Sequence, residues 1–379
     1  MPTRIIPLIE ILVEMPDFRK SRGKRHPLAA ILALGCAATL CGARSYSAMA
    51  DWGRNYGRAL AQALGFTHAK TPCAATLYTV FSHLDVALFE HRLRQWAEQV
   101  LAAYPARPDQ DEALAIDGKT ERGSKKQGAA GTHLLSALSH RLGLTLAQLP
   151  VDDKTNETFA IEDLLDVLVL KGRIVTVDAL HTQRFIAQTI RDWEADYVMI
   201  VKENQPAMLA DIALLFQDAA VVADTLTQAQ SLDAGHGRIE RRQLVASTAL
   251  ADYLNWPGLQ QVFRLERTIT IKKTGKQRHE VVYGITSLAP DQADAAKLLR
   301  LVRRHWYIEN KSHWVRDVTF DEDRSQVRCG AIPQLMAALR NIAIGLMRLT
   351  GHKNIAAATR RFAAQPWAAL ALLGIKCEN

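Results

Sequence analysis

Two aspartates and a glutamate stand where a divalent cation would find oxygen ligands. Asp117 closes the apolar run of ALAIDGK, and Asp178 closes that of RIVTVDAL. A carboxylate at the end of a buried strand loses solvation unless something compensates it, and a bound cation does so. If the two strands are neighbours, both carboxylates reach one sheet edge. Two hard oxygen ligands suit Mg²⁺, which fills its other positions with water and phosphate oxygens. The alternative is a pair of capping aspartates, because Asp after a strand is a common turn and N-cap residue. Glu309, in RRHWYIENKSHW, is the candidate third acid. On a helix it shares a face with His305, His313 and Arg316, a pattern that a solvated face would also give. Zinc held by His305, Glu309 and His313 is disfavoured, since three ligands on one straight helix face do not close around a tetrahedral ion.

Cations surround these acids along the chain. Lys119, Arg122, Lys125 and Lys126 follow Asp117, Lys202, Arg238, Arg241 and Arg242 come later, and Arg300, Arg303 and Arg304 precede Glu309. On a concave face they would track a phosphate backbone, and singly each also reads as a solvated charge. Trp306 and Trp314 are candidates for base stacking or for core packing, and His181 is a candidate contact to a phosphate.

The elements that must position these groups follow from periodicity. Residues 1 to about 105 repeat apolar positions at helical spacing, punctuated by Gly42, Gly53, Gly65 and Pro72. With the basic cluster DFRKSRGKRHP, they predict an all-helical N-terminal domain, either a DNA reader of helix-turn-helix kind or an ordinary bundle. ALAIDGK, HLLSALSH and LTLAQLPV then read as strands, NETFAIEDLLDVLVL as a helix, RIVTVDAL as a strand, TQRFIAQTIRDWE as a helix and YVMIVKEN as a strand. That order predicts an α/β fold of ribonuclease H-like type, a mixed sheet with helices. GHGRIERRQLVAS, QVFRLERTITI and RHEVVYGITSL predict a β-rich insertion over 205–291, with Gly275 at a hairpin turn. The catalytic core is expected over 110–204 and 292–350, and a helical tail over 351–379.

Composition sets the outer bounds. The 379 residues carry a formal net charge of +8, which favours an anionic partner such as nucleic acid. Hydrophobic residues at 48% and charged ones at 23% exclude a mainly disordered or fibrous chain. The longest apolar run, Leu28 to Ala43, is shorter than the roughly 20 residues that span a bilayer, and no signal-peptide pattern opens the chain. A cytoplasmic protein is the expectation. Cys36, Cys41, Cys73, Cys329 and Cys377 form no CxxC pair and read as reduced structural residues.

The stretches AIDGKTERGS, VTVDALHTQ, DYVMIVKENQP, GHGRIERR and RRHWYIENKSHWVRDVTFDEDRSQVRCG occur in order with PLAAILALGCAATLCGARSYSAMADWG before them. In these the sequence resembles the H-repeat-associated type of insertion-sequence transposase, within the Asp-Asp-Glu (DDE) class. The resemblance implies a ribonuclease H-like core, a β insertion before the glutamate helix and two divalent metals, Mg²⁺ with Mn²⁺ as substitute. Asp117, Asp178 and Glu309 fall on the catalytic, metal-binding triad. Lys119, Arg122, Lys202, Arg238, Arg304, His305 and Arg316 are the candidate DNA contacts. The gap of 131 residues between Asp178 and Glu309 leaves room for the insertion. Related enzymes with such an insertion often place Tyr and Arg upstream of the Glu and Lys downstream, whereas Val302, His305 and Arg316 stand here. The implied partners are the terminal inverted repeats and target DNA, bound by a homodimer at the nucleoid. Two other functions fit parts of the pattern: a catalytically inactive, transposase-derived DNA-binding protein, and a metal-dependent nuclease.

Overall fold

The computed structural model describes residues 7–107, 110–125, 130–151, 157–217 and 225–376, so Lys126 and Cys377 lie outside the described residues. In chain order these form α1 (Leu8–Val13), α2 (Leu28–Leu40), α3 (Tyr46–Asn55), α4 (Gly57–Ala63), α5 (Ala74–His83), α6 (Val86–Ala103), β1 (Ala113–Thr120), β2 (His133–Ser139) and β3 (Thr145–Val151). There follow α7 (Glu157–Asp166), β4 (Ile174–Val177), α8 (Arg184–Asp192), β5 (Asp196–Val201) and α9 (Pro206–Leu215). Four long strands come next, β6 (Leu226–Gly235), β7 (Arg238–Ser247), β8 (Gln261–Ile271) and β9 (Gln277–Thr286). After α10 (Ala295–His305) the chain makes a π turn (Glu309–His313), then α11 (Trp314–Val318), α12 (Ile332–Leu349), α13 (Ile355–Ala364) and α14 (Pro366–Leu372). Backbone contacts divide the chain into two units: Met1–Arg107, Gly118–Glu157 and Ile308–Asn379 in the first, and Pro108–Asp117 with Thr158–Tyr307 in the second.

The first unit is built around α2. Its sequence LAAILALGCAATL is apolar on every side and buried almost throughout, as a central helix must be. The C-terminal α12 packs on α2, and both α6 and α12 pack on β3. Side-chain caps start several of its helices: Ser45 accepts the N–H of Ala48, Asp85 that of Leu88 and Asn354 that of Ala357. β2 and β3 pair antiparallel.

The second unit holds a large mixed sheet. β1, β4 and β5 lie side by side and parallel, and β5 then pairs antiparallel with β9. From there β9, β8, β7 and β6 run as an antiparallel meander. The β-rich stretch therefore continues the sheet that carries the aspartates, because the free edge of β5 takes Tyr283–Thr286 of β9 as its partner. Gly275 sits at the β8–β9 turn with φ +67°, a conformation that residues with a Cβ rarely adopt. α10 closes one face: its Leu298, Leu301 and Val302 form a core with Leu244, Ala246, Phe263 and Leu265 of β7 and β8.

Candidate active site

Strand pairing brings the two aspartates together. Ile116 of β1 is in register with Val177 of β4, so Asp117 and Asp178 are the next residues of two adjacent parallel strands; Asp178 follows the last residue of β4, whereas Asp117 lies within β1, which runs on to Thr120 rather than closing at the aspartate. All four residues of β4 are buried, as expected for a parallel strand covered on both faces. Both residues are half-buried and so remain reachable. Asp178 Oδ1 accepts the Leu180 N–H at 3.1 Å, which makes it a turn-capping residue as well as a candidate ligand. The two readings are compatible, because a carboxylate keeps further lone pairs for a cation.

The loop after Asp178 is fastened to the end of β5. Thr182 Oγ1 meets the carbonyls of Asp178 at 3.0 Å and Ile200 at 2.6 Å. Asn204 Nδ2 donates to Ala179 at 2.6 Å, and Gln205 Nε2 donates to the Thr182 carbonyl at 3.1 Å. Thr182, Asn204 and Gln205 thus position Asp178, a role that periodicity did not reveal. The available signal was a run of amide and hydroxyl residues just past two apolar strands, in DALHTQ and KENQP. His181 is fully buried in this loop, out of reach of an external phosphate.

His305 is also buried, at the end of α10. Its Nδ1 lies 3.1 Å from Thr176 Oγ1, and that hydroxyl donates its one hydrogen to the Leu114 carbonyl at 3.1 Å. Nδ1 must then carry the hydrogen of the His305–Thr176 bond. Burial pushes the His305 pKa down to about 4, against the opposing pull of Asp178, so the ring is neutral near pH 7.

Glu309 lies in the first unit, where the helix expected through the whole segment is interrupted. α10 stops at His305, and Glu309 opens a π turn in which it still meets His313, while Arg316 turns inward instead of joining them on one solvated face. Glu309 is half-exposed and its Oε2 lies 3.2 Å from His313 Nδ1. The bond from His313 is the main cause that holds its pKa below the ordinary carboxylate value, with help from the Lys119 charge.

Arg316 corrects the sequence reading most sharply. Its side chain is wholly buried, with Nη2 at 2.7 Å from Glu121 and Nε at 2.8 Å from Glu322, while Arg340 Nη1 reaches Glu322 at 2.7 Å. Burial alone would raise the Glu322 pKa, but the two guanidinium groups bring it down to about 2. Burial and the neighbouring Glu322 charge raise that of Glu121 instead. This quartet cannot reach DNA. Nor is Lys119 free for it, since its buried Nζ donates to both Asp317 oxygens at 2.7 Å. His305 is excluded on the same ground of burial.

The remaining predicted contacts are accessible. Arg122 is exposed near Asp323, and Lys202 is exposed beyond β5. Arg238 is exposed with Glu240 at 2.9 Å, and Arg304 is half-exposed on α10. Trp306 and Trp314 are 56% and 54% exposed, which argues against core packing for either. Cys36, Cys41, Cys73 and Cys329 are free thiols, as expected. Among the described residues no helix is long and apolar enough to cross a membrane.

A mixed sheet that sets two carboxylates just past the paired part of adjacent parallel strands defines an α/β protein with an acidic site suited to a hard cation. The family is settled by comparison: the Transposase DDE domain model matches residues 108–346, and the DDE_Tnp_1-associated model matches residues 9–97. The chain belongs to the DDE transposase family, whose membership implies use of a divalent metal. It is 30% identical over 362 residues to the "H repeat-associated putative transposase YhhI" of Escherichia coli K12, covering 93% of each chain. It is 29% identical to the "Putative transposase YncI" of Escherichia coli O157:H7, covering 90% of this chain and 87% of the relative. Among solved structures, a piggyBac transposase synaptic complex with hairpin DNA aligns over 96% of this chain and 76% of its own, at 10% identity and TM-score 0.41.

Proposed function

We propose that this chain is a transposase that cuts DNA at the ends of its own insertion element and joins them to target DNA by two-metal phosphodiester chemistry. The observation that carries the reading is the register of β1 and β4, which sets Asp117 and Asp178 side by side in a chain of the DDE family. Glu309 is the third acid of the proposal. Carboxylate oxygens are the donors that Mg²⁺ selects, and Mn²⁺ takes the same set. Bound there, the metal pair would lower the pKa of an attacking water or 3′-hydroxyl and neutralise the leaving oxygen.

The protein's own part is positional. Because Asp117 and Asp178 directly follow the last paired residues of β1 and β4, their spacing is set by the sheet, and Thr182, Asn204 and Gln205 fix the turn that aims Asp178. Neutral His305 adds no positive charge behind Asp178 to compete with a cation. No covalent enzyme intermediate is required, so no Ser, Tyr or Cys nucleophile is assigned. The order of strands and helices supports a ribonuclease H-like core over 110–204 and 292–350, with 1–105 as a DNA-binding domain, 205–291 as the β-rich insertion and 351–379 as the tail. DNA ends and target DNA are the substrates, held by a homodimer in the cytoplasm at the nucleoid.

The test is cleavage of a labelled duplex carrying the inverted repeats that flank the gene, with Mg²⁺ or Mn²⁺. Wild type is expected to cut at the repeat end, and Asp178→Asn to bind the duplex without cutting. Binding without cleavage by both proteins would favour an inactive DNA-binding relic. Cutting of any duplex regardless of the repeat would favour a general nuclease.

A further inference from the structure

α10 is amphipathic: one face is core, and the other carries Lys297, Arg300, Arg303 and Arg304 beside the exposed Ala296. Leu298, Leu301 and Val302 pack onto β7 and β8, while Arg300, Arg303, Arg304 and Tyr307 line an open groove whose other wall is Gln230 and Ser231 of β6. Two acids answer four cations along this helix. Asp111 pairs with Lys297 at 2.7 Å and Arg300 at 3.5 Å, and Asp233 pairs with Arg303 at 2.9 Å while also serving Arg242 at 2.8 Å. The groove therefore keeps a positive balance, and both of its walls present donors, which is the chemistry of a phosphate backbone. From Arg300 to Tyr307 is about 10 Å of helix, matching about three phosphates of one DNA strand along its axis.

The groove also has a direction. α10 ends at His305, which bonds Thr176, and Thr176 stands two residues before Asp178 on β4. A strand lying along α10 would be led to the acidic edge within the same unit.

We propose that the groove between α10 and β6 holds the backbone of the DNA flank next to the cleaved phosphate, with Arg300, Arg303 and Arg304 as its phosphate contacts. Asp233 occupies Arg303 when DNA is absent and is displaced by a phosphate. The proposal rests on the transposase reading and adds the route by which DNA reaches the acids.

The test uses the full chain, a fluorescein-labelled duplex of the terminal repeat, EDTA to prevent cutting, and anisotropy titrations between about 50 and 200 mM salt. Arg303→Gln/Arg304→Gln is expected to weaken binding about tenfold for each charge-assisted contact removed and to lower the salt slope by about 1 per arginine. Asp233→Asn is expected to bind more tightly than wild type, a gain that misfolding cannot produce. Arg264→Gln is the control: it alternates with Phe263 and Leu265, which face α10, so it lies on the opposite side of β8. Wild-type affinity and slope in the double variant, or an equal loss in Arg264→Gln, overturns the groove. If such a protein still binds and cuts the repeat, the transposase reading survives that failure; a wild type that binds no duplex overturns both.

Discussion

Arg316 and Glu90 show how little a residue's type says about its burial. Arg316 lies in a segment rich in charge and would pass for a surface cation, yet it is bracketed by two buried glutamates. Arg316→Ala would leave Glu121 and Glu322 with one guanidinium between them, at a cost of about 3–5 kcal/mol. A lower urea midpoint at unchanged slope would register it. Glu90 is buried with its oxygens accepting from Gln148 at 2.6 Å and Gln334 at 2.8 Å. Burial raises its pKa to about 7 although both amides oppose the shift. Between the unfolded value near 4.5 and that value, the native state binds more protons than the unfolded one. Stability must then fall as pH rises through this window, by about 3 kcal/mol. Denaturation at about pH 5 and pH 8 should show the loss in wild type, and Glu90→Gln should abolish that component.

At the scale of elements, close backbone approach does what side chains do elsewhere. Gly123, in the ERGS stretch, faces the loop of DEDRS so closely that a Cβ would stand 2.5 Å from the Glu322 carbonyl and 2.7 Å from the Ser325 nitrogen. These are backbone atoms and cannot rotate away. Gly123→Ala should therefore lower the melting temperature by several degrees, with the Arg316 quartet displaced, whereas Gly172→Ser, with open space around its Cβ position, tests only its positive φ. The strands that carry the acids were legible because apolar runs ending in Asp have few other readings, and β4 and β5 fall where periodicity sets them. The π turn was not legible. Trp306, Ile308, Trp314 and Val315 prolong a helical apolar rhythm, and nothing in residue type marks a five-residue turn inside it.

For the whole molecule, the total of 47 Lys and Arg overstates the cations that a polyanion meets. Lys119, Arg316 and Arg340 are buried in ion pairs and contribute to folding, so the salt dependence of DNA binding should count only exposed cations. A Lys119→Met variant that still folds is expected to keep the wild-type salt slope. The sequence allowed a basic surface to be inferred from the total but not its location, because pairing depends on contacts between residues as far apart as Glu121 and Arg316.

The π turn carries one more consequence, for insertions and deletions. Arg316 is anchored by the quartet just after the turn, while Glu309 opens it. Deleting a single residue within the turn would let the segment relax to an ordinary α-helix with Glu309 near its present angle to Arg316, whereas deleting a residue from the α-helical stretch beyond it would turn Glu309 by about 100° around the axis while Arg316 stayed bolted. Chain length here acts as an angular setting with one residue of slack: a one-residue deletion inside the turn should leave a folded protein with Glu309 aimed as before, and a deletion just beyond it one with Glu309 aimed elsewhere.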